Sequence, residues 1–84
     1  MAVCGGSGSF LLADARRAKA DAFVTADIRY HQFFDASDQL ILVDAGHFET
    51  EQFTVELIAR HLMNIFPNFA VHISKMSKNP VNYL

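Results

Sequence analysis

The hydrophobic positions gather into four short runs: Ala2-Val3-Cys4, Ala22-Phe23-Val24, Leu40-Ile41-Leu42-Val43 and Phe69-Ala70-Val71-His72-Ile73. Helix-compatible segments separate the first three runs, and a longer one precedes the fourth. That alternation predicts an α/β fold in βαβαβα-β order. The inner runs are continuously apolar instead of alternating, as in parallel strands covered on both faces, so the predicted sheet is mostly parallel. The first helix is expected to open at Ser9, with Ser9 as its N-cap, and to run through Ala18. The last helix is the best marked: Val55, Ile58, Ala59, Leu62 and Ile65 recur at helical spacing, while Glu56, Arg60 and Asn64 fall elsewhere and Pro67 prevents continuation.

A length of 84 residues holds one domain at most, so residues 1–84 are read as a single α/β domain. The chain begins inside the first predicted strand, with only Met1 and Ala2 ahead of Val3, which suggests a domain cut from a longer protein. With 51% hydrophobic residues and eight Phe, the chain is rich in apolar surface for its size, which suggests a face meant for other protein. Seven Lys and Arg against nine Asp and Glu give a net charge of −2 with no basic run, which argues against nucleic-acid binding. No apolar stretch approaches the roughly 20 residues of a membrane helix, and the first residues lack the pattern of a signal peptide. The chain is therefore read as cytoplasmic and not membrane-bound. A single cysteine, Cys4, can form neither an internal disulfide nor a structural zinc site.

Candidate chemistry lies at the ends of the first three runs. Cys4-Gly5-Gly6-Ser7-Gly8-Ser9 could bring backbone N–H groups to an anion, or could be a tight βα turn that needs glycine for positive φ. It matches neither a dinucleotide fingerprint nor a P-loop. Asp27 and His31 follow the second run and would share a face if the chain is helical from Asp27, giving a proton relay or substrate contact. The alternative is a capping Asp27 and a surface His31. His47 and Glu51 follow the third run, again four apart, and pair an imidazole with a carboxylate as metal ligands do. The alternative there is Thr50 as an N-cap, Glu51 in a first helical turn and His47 in a loop. His61, mid-helix, and His72, in the last predicted strand, have no acidic or cysteine neighbour at ligand spacing.

Taken in order, Val3-Cys4-Gly5-Gly6-Ser7-Gly8, Asp27-Ile28-Arg29-Tyr30-His31, Asp44-Ala45-Gly46-His47 with Glu51, and the terminal Lys78-Asn79-Pro80 with Tyr83-Leu84 resemble the carboxyl-terminal part of one family. It is the NGG-interacting-factor-three-like family of dinuclear-metal-centre ring proteins, often labelled GTP cyclohydrolase I type 2 homologues. The resemblance covers essentially the whole chain. It implies part of a larger two-half α/β domain, a hexameric ring, and two divalent metal ions (Zn, Mn, Fe or Ni) per full-length chain. In that family the amino-terminal half gives a His-His pair and an Asp, and the carboxyl-terminal half gives a His and a Glu, which look like His47 and Glu51. The family's G-D-x-K-Y-H segment is similar to residues 26–31 and directs Asp27 and His31 toward the same cavity. Ala26 stands where Gly is usual, Arg29 where Lys is usual, and Met76-Ser77-Lys78-Asn79-Pro80 departs from the N-T-N-P ending.

The resemblance leads to a metal-dependent hydrolase half-site, with His31 or Asp27 handling protons, a nucleotide or related heterocycle as substrate, and the missing amino-terminal half as obligatory partner. This fragment alone is expected to be inactive. Two other readings remain: a non-catalytic metal-binding or ring-scaffold protein, and a standalone phosphate-binding βα module.

Overall fold

A computed structural model describes residues 1–36 and 38–84. Two compact units divide the chain, residues 1–51 and 52–84.

In the first unit, the three leading apolar runs become strands β1 (Ala2–Ser7), β2 (Ala22–Ala26) and β3 (Ile41–Asp44). They form a parallel sheet in the order β1-β2-β3, with Phe23 beside Ala2 and Leu42, and Val24 beside Val3 and Val43. Each run is apolar on both faces of the pleat, and β2, laddered on both sides, is the most buried of the three. The register of β1 against β2 shifts between Val3 and Ser7, where Gly6 takes φ +65°. The glycine segment therefore belongs largely to the strand.

Helices α1 (Leu12–Arg17) and α2 (Tyr30–Ala36) join the strands. Leu12 and Ala15 of α1 pack with Phe23, Ala36 and Leu40 into the buried core. Phe23 is 2% exposed, and removing a side chain of that size from water contributes about 1.5 to 3 kcal/mol. The chain enters α1 through a 3-10 turn, Ser9–Leu11, capped by the Gly8 backbone with no side-chain hydrogen bond, so the expected Ser9 N-cap does not form. The turn is closed by the Leu11 amide donating to Gly8 O at 2.9 Å, which leaves Ser9 inside the turn instead of ahead of it. At the other end Lys19 takes φ +56°, and the amides of Lys19 and Ala20 donate to Arg16 O and Ala15 O, a Schellman ending built on lysine. The Arg16 guanidinium ties α1 to α2 by donating to Asp35 O at 2.8 Å. A short helix, α3 (His47–Glu51), follows β3.

The second unit holds α4 (Thr54–Ile65), which matches the predicted apolar periodicity. Its N-cap is Phe53 and not Thr50. Among the described residues the expected fourth strand is absent: residues 69–73 enter no ladder. Instead the Phe69 amide donates to Phe66 O, closing a turn around Pro67, and the Phe66 and Phe69 rings meet edge to face at 5.7 Å. An apolar run becomes a strand only when neighbouring backbone satisfies its N–H and C=O groups, and none does so here. No helix among the described residues is long and apolar enough to cross a membrane.

Candidate functional site

The sheet delivers two turns at neighbouring strand ends, one after β2 and one after β3. Beyond β3, the Ala45 amide donates to Thr25 O at 2.8 Å and extends the ladder by one residue. Gly46 then turns the chain at φ +84° into α3. The Asp44 carboxylate fixes both turns at once: Oδ1 accepts from the Gly46 amide at 3.1 Å and Oδ2 from the Ile28 amide at 3.0 Å. Beyond β2, Asp27 sits at φ +56°, a left-handed conformation uncommon for a residue with a Cβ.

These turns bring three charged side chains together. His47 Nδ1 lies 2.5 Å from Asp27 Oδ2, and His47 Nε2 lies 3.2 Å from Glu51 Oε2, one helical turn along α3. All three side chains are about half exposed, at 49%, 51% and 52%. The Asp27 hydrogen bond first, and the Glu51 charge second, raise the His47 pKa above its ordinary 6.5 by favouring the imidazolium, with desolvation opposing.

Beneath the trio, Thr50 and Gly6 seat α3 on β1. Thr50 Oγ1 donates to His47 O at 3.0 Å and accepts the Gly6 amide at 2.8 Å. Thr25 Oγ1, fully buried, donates to Gly6 O at 3.1 Å. A Cβ on Gly6 would stand 3.0 Å from the Glu51 carboxyl carbon and 3.3 Å from His47 Nε2, so only glycine permits this approach. The Gly6 amide is thus spent within the fold, which removes it as a donor to an anion.

Of the residues singled out in the sequence, Asp27, His47 and Glu51 converge and His31 does not join them. The face expected to unite Asp27 with His31 does not form, because α2 begins only at Tyr30 and Asp27 is left-handed instead of helical. Neither does Asp27 cap α2; ahead of that helix the Arg29 amide donates to Gln32 Oε1 at 2.8 Å. His31 lies exposed near the start of α2. Ala26, where a glycine is usual, is a strand residue with no positive φ and is fully buried, so its methyl group is compatible with the backbone there. Sequence reasoning missed the structural parts played by Asp44, Thr50 and Gly6. Only the placement of Asp44 and the glycines at strand ends carried a signal.

Comparison with known proteins places the sequence and the fold. The Duf34/NIF3 (NGG1p interacting factor 3) family profile matches residues 1–80. A Campylobacter jejuni protein named GTP cyclohydrolase 1 type 2 homolog is 37% identical over 84 residues, covering 99% of this chain and 32% of its own. A Streptomyces coelicolor protein of the same name is 41% identical over 86 residues, covering 95% and 30%. The crystal structure of Staphylococcus aureus protein SA1388 superposes with a TM-score of 0.86 at 33% identity, covering 98% of this chain and 28% of that one. A Bacillus cereus protein related to NIF3 gives 0.72 at 28% identity, with 98% and 24% covered. The chain spans between 24% and 32% of the length of these four relatives. A profile match over nearly every residue, joined to relatives that share both sequence and backbone, shows that this chain belongs to the Duf34/NIF3 family.

Proposed function

We propose that this chain contributes a two-ligand half-site, His47 and Glu51, to the divalent-metal centre of a metal-dependent hydrolase. One observation carries the reading: His47 Nε2 and Glu51 Oε2 stand 3.2 Å apart on one face of α3, above a glycine that leaves their approach clear. A neutral imidazole lone pair and a carboxylate repel at that separation, and a cation held by both relieves the repulsion. The mixed nitrogen and oxygen donors suit Zn, Mn, Fe or Ni. Among the described residues no group of three or more His, Cys, Asp or Glu could hold a metal ion. The remaining donors therefore come from outside the chain, and the longer relatives have the length to supply them in an amino-terminal half.

A divalent ion held by His47 and Glu51 would supply Lewis acidity and lower the pKa of water enough for hydroxide to be available near neutral pH. Within the chain, His47 and Glu51 bind, Thr50 and Gly6 hold α3 against β1, and exposed His31 exchanges protons with substrate. The name of the relatives, GTP cyclohydrolase 1 type 2 homolog, makes nucleotides the first substrate class to assay. The same reading includes a homo-oligomeric ring, hexameric when both halves are present. It also includes a cytoplasmic location, where the free thiol of Cys4 stays reduced.

The test uses the longest protein its gene encodes, with metal content by mass spectrometry and turnover of nucleoside triphosphates in added Mn²⁺ or Zn²⁺. His47→Ala and Glu51→Ala are each expected to lose both metal and turnover. Metal retained in both variants contradicts the ligand assignment. Metal lost in the variants, with no turnover in the parent, leaves a metal-binding ring scaffold in place of an enzyme.

A further inference from the structure

The imidazole of His47 is flanked by two carboxylates at unequal distances, Asp27 at 2.5 Å from Nδ1 and Glu51 at 3.2 Å from Nε2. A carboxylate only accepts hydrogen bonds, and a neutral imidazole carries one proton. The shorter contact draws that proton to Nδ1 and leaves the Nε2 lone pair facing Glu51. Asp27 presents its carboxylate from a left-handed backbone, a conformation that its short polar side chain tolerates better than most. The next amide, that of Ile28, is held at 3.0 Å by Asp44, the same carboxylate that holds Gly46 just ahead of His47. One side chain thus sets the spacing between the residue that orients and the residue that is oriented.

We propose that Asp27 is a positioning residue, anchored through Asp44, that fixes His47 as the Nδ1-protonated tautomer and so presents Nε2 as a ligand beside Glu51. The four-residue spacing to His31 suggests a proton-handling role for Asp27 at the reacting centre, whereas this geometry commits its carboxylate to His47. The inference rests on the half-site reading for its purpose, and its tautomer claim stands independently of any metal. Carboxylates that hold a metal-binding histidine in this way are worth about 10- to 100-fold in metal affinity.

The test is nitrogen NMR of the His47 ring in metal-free protein at alkaline pH, where the imidazole is neutral, followed by Zn²⁺ titration. In the parent, Nδ1 is expected to carry the proton. Asp27→Asn preserves a side chain that tolerates the left-handed backbone. It should nevertheless give a mixture of tautomers and about 10- to 100-fold weaker Zn²⁺ binding with an unchanged amide spectrum elsewhere. Asp44→Asn, which weakens the anchor without touching His47, should move the tautomer ratio in the same direction. A parent protonated at Nε2, or an Asp27→Asn tautomer ratio equal to the parent's, overturns the proposal. If the tautomer responds as expected but Zn²⁺ binds neither parent nor variant, the positioning role is supported and the half-site reading fails.

Discussion

The turns after β2 and β3 leave adjacent strands at the same edge, and each uses a left-handed residue to change direction. After β3 that residue is Gly46, at φ +84°, which adopts the conformation freely. After β2 it is Asp27, at φ +56°, which does not. The glycine turn starts the helix that carries both proposed ligands, and the aspartate turn carries the side chain that contacts the first of them. Lys19 shows that positive φ alone does not mark a site, because its φ of +56° closes a helix end by ordinary backbone hydrogen bonds and its position is unrelated to the trio. What separates Asp27 from Lys19 is the imidazole that its carboxylate reaches.

The sharpest test of this contrast removes a ligand. Glu51→Ala should lower metal affinity by more than the roughly 100-fold upper range seen for residues that merely orient ligands, as read by competition with a chelator. An effect no larger than that of Asp27→Asn would erase the distinction between binding and positioning. Next in size is Gly46→Ala, which forces a Cβ into the left-handed turn and against the Glu49 carboxyl carbon at 2.7 Å. It should destabilise the chain by about 1 to 3 kcal/mol in urea unfolding, and a loss near zero would show that the turn can be made another way.

Protons provide a smaller probe. The His47 pKa lies above 6.5 in the folded chain, so in metal-free protein the Asp27 and Glu51 interactions stabilise fully below pH 6.5 and fade as pH rises through the raised value. Zn²⁺ binding runs the opposite way, strengthening as the ring loses its second proton. Urea midpoints that fall and Zn²⁺ affinities that rise between about pH 6 and pH 8.5 would match both signs. In Asp27→Asn both trends should shift to lower pH. Last comes Lys19→Gly, which relieves the left-handed residue of the comparison that has no role at the site. It is expected to raise stability by up to about 1 kcal/mol while leaving metal affinity untouched.

The strands and α4 were legible in the sequence because their signals are local. Continuous apolar runs around Phe23 and Leu42 mark parallel strands, and Val55, Ile58, Leu62 and Ile65 mark a helix by period. Helix α3 was not legible, since five residues give periodicity no room and Thr50 resembles an N-cap while serving as a brace to Gly6. Phe69–Ile73 reads as a strand in isolation, yet a strand also needs a neighbouring backbone, which no local pattern reports. At the site, the His47 and Glu51 pair was visible from its four-residue spacing. The Asp27 contact was not, because it spans 20 residues and depends on the parallel register that sets Thr25 beside Asp44. Spacing pairs Asp27 with His31 and the family resemblance points both toward one cavity, but the left-handed backbone that turns Asp27 to His47 is a tertiary outcome.

The central claim is that His47 Nε2 and Glu51 together bind a divalent ion. It is tested most directly by titrating the longest protein the gene encodes with Zn²⁺ while following the ring nitrogens of His31, His47, His61 and His72. The account predicts that Nε2 of His47 responds first, that its Nδ1 stays protonated, and that Glu51→Ala suppresses the response. A His47 ring that stays unchanged at millimolar Zn²⁺, or that binds through Nδ1, would contradict it.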